Sequence, residues 1–241
     1  MPHSDPRPNV ALVVAHPDDV AFSFGGTAWL LHERYQLHIF CASKGERGYS
    51  WQGPGLPPPS AEVAAVRAAE EADACALLDA KLTFLDQIDG EIFAGRQVCE
   101  QVAAHLAAIK PVALFTHNPL EKADHAAVYG IATRALHLAQ LFWTTELYMA
   151  VEYGPTFHPK CPDLYVNISS VIEEKRRLVY CHQSHAKSGE GLDVFLERNR
   201  ILGRLAWCDY VEAYWSGWPL VAERWNRKAG SILMDLPCAP A

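Results

Sequence analysis

Two short segments of the chain place a histidine next to a carboxylate. The sequence His-Pro-Asp-Asp begins at His16, and an Asp-His pair ends at His125. Two imidazoles, one carboxylate and an open position for water form the ligand set of catalytic zinc hydrolases. His16, Asp19 and His125 would supply such a set. Asp18 would then lie beside the metal, where a carboxylate can take a proton from activated water.

The first segment also has an interpretation that needs no metal. His-Pro-Asp-Asp is compatible with a turn in which Asp18 or Asp19 caps the next helix. The second segment weakens this interpretation, because nothing about a simple turn requires a matching motif after another strand. The two segments together favour a metal site.

The segments that must position these residues alternate between strand and helix patterns. Short apolar runs predict strands, and alanine-rich stretches with helical spacing predict helices, one of them capped by Ser60. The expected strands cover residues 10–15, 37–42, 81–85 and 112–116, and the expected helices cover 27–35, 61–78, 95–109 and 125–141. This order predicts a Rossmann-like α/β fold, a mostly parallel sheet with helices on both faces. Ligands bind beyond the carboxyl ends of such strands, so we expect both segments to meet at one edge.

After residue 141 the alternation is less regular. The patterns predict strands over 146–151, 164–168 and 210–215, and helices over 170–181, capped by Ser170, and 192–207. We expect a single domain over residues 1–241. Residues 1–141 would form its Rossmann-like part, and residues 142–241 a smaller C-terminal lobe.

Composition narrows the range of functions. The chain has 241 residues and a formal net charge of −7, which disfavours a nucleic-acid binder because such proteins need a basic surface. No apolar run approaches the roughly 20 residues of a membrane span, and no signal-peptide pattern is present. The seven cysteines form no Cys-x-x-Cys pair, which argues against a disulfide framework. We expect a cytoplasmic protein that acts on a small molecule; homo-oligomer formation is compatible with the sequence.

Further motifs accompany the two metal-site segments in a fixed order. They cover roughly residues 10 to 215 and comprise Gly25-Gly26-Thr27, Gly45-Glu46-Arg47-Gly48, Arg67 with Glu70, Asp89-Gly90, Asn118-Pro119, Lys175, His182-Gln183-Ser184 and Glu212-Ala213. Each motif is weak alone, whereas the ordered set is specific. With it the chain resembles the PIG-L/LmbE-like metal-dependent N-deacetylases.

This resemblance implies a metal centre and a reaction. His16, Asp19 and His125 would bind Zn²⁺, although Fe(II) and Co(II) also tolerate such ligands. Asp18 would be the general base for water that attacks an amide carbonyl, with the metal stabilising the oxyanion. The expected reaction removes an acetyl or other acyl group from an N-acetylated amino sugar or sugar conjugate.

The resemblance also implies supporting roles for other residues. Asp124 would orient a neighbouring imidazole and so contribute to catalysis. Arg67, Arg47 and His182 are candidates for binding the substrate. For Arg67, a surface pair with Glu70 on one helix face is an equally simple interpretation.

The sequence departs from the family pattern at two positions. Val20 stands where the family usually has Glu, and Lys122 stands where it usually has an imidazole. Lys122 is therefore a candidate catalytic residue that would donate a hydrogen bond to the oxyanion or protonate the leaving amine. The alternative interpretation is that Lys122 is an ordinary lysine on a solvent-exposed loop. His185, like His182, could enter the site from a late turn.

Two other functions stay open. A metal-dependent hydratase or lyase acting on a small dicarboxylate would fit a basic rim formed by Lys44, Arg47, Arg67 and Lys122. The presence of Asp18 favours the hydrolase, since the lyase branch does not need that base. A non-catalytic binding protein of the same fold is disfavoured by the intact ligand set.

Overall fold

A computed structural model describes residues 6–48, 55–151, 161–188, 191–217, 231–233 and 236. Its strands are β1 Asn9–Val14, β2 Gln36–Cys41, β3 Lys81–Phe84, β4 Ala113–Thr116, β5 Glu146–Ala150, β6 Leu164–Asn167 and β7 Val211–Ser216. Its helices are α1 Gly25–His32, α2 Ala61–Leu77, α3 Arg96–Ile109, α4 Ala123–Leu138, α5 Ile172–Val179 and α6 Val194–Leu205. A π-helical turn covers Val20–Phe24, and 3₁₀ turns cover Ser169–Val171 and Gln183–Ser188.

The seven strands form one sheet in the order β3-β2-β1-β4-β5-β7-β6. Strands β1 to β5 are parallel, while β7 runs antiparallel between β5 and β6. The strand order reverses direction at β1 and β4, and a crevice forms beyond the carboxyl ends of strands at such a point. The loops after β1 and β4 therefore meet at the centre of the sheet.

Both faces of the sheet are covered. On β1, Val10, Leu12 and Val14 pack on one side with α1, α2 and α5. Ala11 and Val13 face the opposite side, where they pack with α3 and α4. A parallel strand buried on both faces explains why β1 reads as a continuous apolar run. The predicted mostly parallel α/β fold is confirmed.

Most expected elements form within a few residues of their predicted bounds. Ser60 caps α2 as predicted, with its hydroxyl accepting a hydrogen bond from the Val63 amide at 3.3 Å. The predicted cap at Ser170 is wrong, because Ser170 lies inside a 3₁₀ turn and α5 begins only at Ile172. Helix α4 begins two residues before its predicted start, which puts His125 in its first turn.

The sheet continues past residue 141, where the sequence predicted a separate lobe. Strands β5, β6 and β7 all come from residues after 141 and belong to the same sheet as β1 to β4. The division of the domain into two parts at residue 141 stays a prediction. Glu212 of β7 accepts hydrogen bonds from the amides of Gly26 and Thr27 at the start of α1. The buried Lys175 ammonium lies 2.6 Å from the same carboxylate. Among the described residues, no helix combines the length and apolar character that crossing a membrane requires.

Candidate metal centre

The turn after β1 is organised by the carboxylate of Asp19. Its Oδ2 accepts hydrogen bonds from the backbone amides of Ala15 at 3.0 Å and His16 at 2.7 Å. Asp19 occupies the cap position of the π-helical turn, but its side chain makes no capping bond there. The carboxylate reaches back to the strand instead, so the motif forms a turn in which Asp19 does not cap the next helix.

Asp19 also connects the loops after β1 and β4. Its Oδ2 lies 3.1 Å from Nε2 of His117, and its Oδ1 lies 3.4 Å from Nε2 of His125. The two imidazole rings stack with their centroids 3.8 Å apart. Burial raises the pKa of Asp19, but the charges of His125 and His117 outweigh it and hold that pKa well below its usual range. The carboxylate is therefore ionised, as a metal ligand must be.

His16 presents its two ring nitrogens to different partners. Its Nδ1 lies 3.6 Å from Asp19 Oδ2, while its Nε2 lies 3.1 Å from both Asp89 Oδ1 and Asp124 Oδ2. Burial lowers the pKa of His16, but hydrogen bonds to Asp124, Asp19 and Asp89 overcome this effect and raise it to about 10. The carboxylates around this ring thus favour a positive charge, supplied by a proton or by a metal.

These side chains fit a divalent metal by the chemistry of their donor atoms. Ligand atoms of His16, Asp19 and His125 lie within 4.8 Å of one another, and so do those of His16, Asp89 and Asp124. The first set is the two-histidine, one-carboxylate combination of catalytic zinc sites. In the second set, Nε2 of His16 is at hydrogen-bonding distance from both carboxylates. Asp89 and Asp124 therefore orient the ring of His16, and its other nitrogen, Nδ1, faces Asp19.

Asp18 lies at the edge of the metal centre, in an unusual backbone conformation. Its φ is 105°, a region that non-glycine residues rarely occupy. Its Oδ2 lies 3.3 Å from Nη2 of Arg67 and 3.4 Å from Nδ1 of His185. Strained residues of this kind are held by their surroundings and cluster at functional sites. Asp18 is thus fixed as a carboxylate beside the predicted ligands.

Arg67 is buried and braces this part of the site. Its two terminal nitrogens donate to the carbonyl oxygens of Gly45 and Pro17, each at 2.9 Å. Gly45 has a φ of +65°, and a Cβ there would lie 2.0 Å from Nη1 of Arg67. Glu70, the predicted surface partner, instead accepts hydrogen bonds from Ser184. Arg67 therefore holds Asp18 in place, and the interpretation as a surface pair is wrong.

A second buried layer lies behind Asp18. Glu71 accepts a hydrogen bond from the Asp18 amide at 3.0 Å, and Nε2 of His182 lies 3.7 Å from the same Glu71 oxygen. Burial, reinforced by the charges of Asp18 and Asp19, raises the pKa of Glu71 to about 7. Burial lowers the pKa of His182 to about 4. At neutral pH the His182 imidazole is therefore uncharged, and the Glu71 carboxyl is protonated in a substantial share of molecules.

A cavity of about 700 Å³ opens over this centre. Among the described residues it is lined by His16, Asp18, Asp19, Phe22, Ser23, Gly48, Leu56, Arg67, Asp89, Gly90, Lys122, Ala123, Asp124, His185, Phe195 and Arg198. Its size suits a small-molecule ligand. His125 lies directly behind Asp19 and is 1% exposed.

The predicted substrate-binding arginines and the predicted catalytic Lys122 occupy different places. Arg67 and Lys122 line the cavity, and Lys122 is exposed at the cap position of α4. Arg47 instead bonds to the Pro57 and Asp89 carbonyls and to Glu91, and it is not among the described lining residues. It therefore fastens neighbouring loops to one another.

Of the two histidines that the sequence offered from the late turn, His185 reaches the cavity, whereas His182, the predicted substrate-binding residue, is not among the described lining residues. His182 is 1% exposed and lies against Glu71, whereas His185 reaches the cavity wall. Lys44 also lies away from the cavity, where it pairs with Asp86 on the surface. The predicted basic rim is thus reduced to two of its four members.

Sequence reasoning assigned no role to several side chains that complete the site. His117 directly follows β4 and Asp89 follows β3, so the strand-end rule that found His16 could also have found them. Glu71 and Arg198 lie within helices, where nothing in the local sequence distinguishes them from ordinary charged residues.

Comparison with known proteins places this geometry in a family. The model of the family described as PIG-L: GlcNAc-PI de-N-acetylase matches residues 11–136, more than half of the chain. The chain is also 25% identical, over 191 residues and 73% of each chain, to the 4-oxalmesaconate hydratase of Pseudomonas putida. The matched residues of the family model contain most of β1, all of β2 to β4 and the candidate ligands.

Solved structures share the same fold. The 4-carboxy-2-hydroxymuconate hydratase of Pseudomonas putida superposes with a TM-score of 0.73 at 22% identity, covering 93% of this chain and 99% of the other. The N,N'-diacetylchitobiose deacetylase of Pyrococcus horikoshii superposes with a TM-score of 0.74 at 19% identity, covering 90% and 86%. Because one fold carries both activities, the likeness does not choose between them. With the family model spanning the elements that build the site, the chain belongs to the PIG-L family and is an enzyme of that family.

Proposed function

We propose that the protein is a metal-dependent hydrolase that removes an acetyl or other acyl group from an N-acylated amine, such as an amino sugar or its conjugate. One observation carries the proposal: Asp18 lines the same cavity as the predicted ligands His16 and Asp19, with His125 directly behind them. A general base and a metal centre at one cavity are the parts that amide hydrolysis requires.

The metal would be held by His16, Asp19 and His125, and we propose Zn²⁺. When bound, a divalent metal supplies a Lewis acid that activates water and polarises a carbonyl oxygen. Asp89 and Asp124 hold the ring of His16 through Nε2 and so keep Nδ1 turned towards the other ligands. Such partners of a ligand fix the ring orientation and strengthen metal binding.

Asp18 would move the proton in this reaction. The Arg67 guanidinium and the His185 imidazole contact its Oδ2, so the charged carboxylate is stabilised before the substrate arrives. As a base it would take a proton from the attacking water. As an acid it would return that proton to the nitrogen of the leaving amine, which would otherwise depart as an unstable anion.

Lys122 would bind the developing negative charge of the substrate. It stands at the start of α4 on the cavity wall, where the helix dipole adds to its own positive charge. A lysine ammonium is a permanent donor at neutral pH, so it can replace a neutral imidazole as the partner of an oxyanion.

The test is an acetate-release assay on the metal-loaded protein, with N-acetylglucosamine and its conjugates as substrates. Elemental analysis of the same sample identifies the metal. We expect stoichiometric acetate and free amine, and an Asp18→Asn variant that keeps the metal but loses turnover. Unchanged hydrolysis by Asp18→Asn with metal still bound would contradict the mechanism.

A second candidate is a metal-dependent hydratase acting on a small dicarboxylate. The observation that favours it is the ammonium of Lys122 on the cavity wall, where a carboxylate could bind, together with the similarity to a hydratase. Incubation with unsaturated dicarboxylates, followed by loss of their ultraviolet absorbance, tests it. Hydration without acetate release in the parallel assay would replace the hydrolase proposal.

A further inference from the structure

Arg198 is a cavity residue whose part in the site has not yet been assigned. It lies on α6, is partly buried, and lines the same cavity as His16 and Asp18. Its guanidinium carbon lies 4.9 Å from the ring centroid of Phe195, one helical turn earlier. The side chain is therefore held over an aromatic face at the cavity wall.

The aromatic support under Arg198 is continuous with the metal centre. Phe195 stacks on Phe22, with the ring centroids 3.5 Å apart and the planes within 13°. The rings of Phe22 and His185 meet edge to face with their centroids 4.9 Å apart, and His185 contacts Asp18. Phe22 itself belongs to the π-helical turn that begins one residue after Asp19. Arg198 is thus tied, through two rings, to the segment that carries the reacting groups.

The chemistry of a stacked arginine suits an anionic ligand. A guanidinium packed by its face on an aromatic ring keeps its N–H groups at the edge, where they can donate in parallel to a carboxylate or phosphate. Such paired, charge-assisted bonds are strong and directional. Arg67, another arginine of the cavity wall, already donates to two backbone carbonyls and contacts Asp18.

We propose that Arg198 binds an anionic group of the substrate, a carboxylate or a phosphate, and so selects anion-bearing substrates for this cavity. The inference rests on the proposed function, because it takes the metal-centred cavity as the place of reaction. It holds for either candidate reaction, since an N-acylated amine and an unsaturated dicarboxylate can both carry such a group.

Matched pairs of probes that differ in one anionic group test the proposal on the metal-loaded protein. One pair is N-acetylglucosamine 6-phosphate and N-acetylglucosamine, and another is maleate and its monomethyl ester. Calorimetry gives the dissociation constant of each probe, independently of turnover. We expect the wild-type protein to bind the more anionic member roughly 10- to 100-fold more tightly, as for charge-assisted hydrogen bonds.

Arg198→Met should remove this preference while leaving the metal content unchanged. Arg200→Met is the matched control, because Arg200 lies two residues along the same helix, pairs with Glu197 and is not among the described lining residues. It should keep the wild-type preference. Arg198→Lys keeps the positive charge but lacks the paired N–H donors of a planar guanidinium, so it should retain only part of the anion preference.

The outcomes separate the two proposals. Anion preference lost in Arg198→Met supports this inference even if no probe is turned over, in which case only the proposed function fails. A preference that survives Arg198→Met would arise from another positive group at the cavity, such as Lys122 or the metal, and would overturn the inference. Equal binding of paired probes by the wild-type protein, or no binding of any anionic probe, would overturn it as well.

Discussion

The cavity has two walls of different origin. The strand-end wall consists of His16, Asp19, Asp89 and Asp124, all on loops or first turns that follow parallel strands. The helical wall consists of His185, Phe195 and Arg198, from the turn after α5 and from α6. The first wall contains candidate metal ligands and the carboxylates that orient them. The second contains aromatic and cationic groups that a substrate would touch.

The difference teaches which part of such an enzyme is constrained. A parallel sheet brings its strand ends to one edge, so the strand-end wall follows from topology. The helical wall depends on how residues distant in sequence pack against that edge. We therefore expect variants of the strand-end wall to lose metal and chemistry, and variants of the helical wall to change rate or preference with the metal retained.

The largest effect is expected for Asp19→Asn. Loss of its charge removes a candidate ligand and the partner of both His117 and His125, so metal content and turnover should fall to background. Elemental analysis and acetate release measure this. Asp86→Asn, which alters an exposed carboxylate paired with Lys44, should leave both unchanged. A stoichiometric metal in Asp19→Asn would break the assignment of the strand-end wall.

Asp18→Asn should separate chemistry from metal binding. Removal of a general acid or base typically costs about 10²- to 10⁴-fold, and we expect a loss of that order in kcat. The metal content should stay at the wild-type value, since Asp18 contacts Arg67 and His185 rather than the predicted ligands. Loss of metal from this variant would mean that Asp18 contributes to metal binding, as the residues of the strand-end wall are expected to do.

Glu71→Gln should change how stability depends on pH. The native pKa of Glu71, raised to about 7 from an ordinary 4.5, means that the folded protein binds more protons than the unfolded chain between these values. The wild-type protein therefore loses stability as pH rises through this window. Glu71→Gln lacks that loss and should gain up to about 3 kcal/mol relative to the wild-type protein.

Urea unfolding at several pH values between 4.5 and 7.5 measures this difference. Glu62→Gln, at an exposed position of the same helix, controls for the removal of one carboxylate. A constant difference between Glu71→Gln and the wild-type protein across the window would show that the layer behind Asp18 does not hold a neutral carboxyl.

Gly45→Ala should destabilise the Arg67 brace that holds Asp18. Both Gly45 and Gly55 have a positive φ, so alanine at either position carries left-handed strain of about 1–2 kcal/mol. At Gly45 the new Cβ also meets the Arg67 guanidinium, whereas at Gly55 it meets nothing within 4 Å. Gly45→Ala should therefore cost more unfolding free energy than Gly55→Ala and also lower kcat. Equal costs would mean that Arg67 moves aside freely.

The smallest effect is expected for His185→Gln. Nδ1 of His185 lies 3.4 Å from one oxygen of Asp18, so its loss should cost roughly 10-fold in kcat, on the order of one polar contact with a charged group. The metal content should not change. In a double variant with Asp18→Asn the second substitution should cost little more, because its partner is gone. If the losses in kcat of the two single variants add in the double variant, His185 contributes to turnover independently of Asp18.

The strand-end wall could be predicted from sequence because its rule is local. A strand pattern followed by His, Asp or Asn suffices, and this identified His16, Asp19 and His125. The same rule reaches His117 and Asp89, although sequence reasoning assigned neither of them a role in the metal centre. The fold followed from the same periodicities, with errors confined to element ends such as Ser170.

The helical wall could not be predicted because its members have no local pattern. His182 and His185 lie three residues apart in one turn, and only packing against Phe22 and α2 decides which faces the cavity. Arg198 is one of several arginines on α6, and its distinction is the Phe195 ring beneath it. Tertiary contacts of this kind are absent from a linear sequence.

The position of β7 has a consequence for how the chain is made. This strand is translated after the other six strands of the sheet, yet it pairs with both β5 and β6 inside the sheet. Until Glu212 arrives, the amides at the start of α1 and the ammonium of Lys175 lack the carboxylate that satisfies them. A nascent chain that ends before Val211 therefore cannot reach its final packing. The sheet is therefore completed only when the seventh strand in chain order has been made.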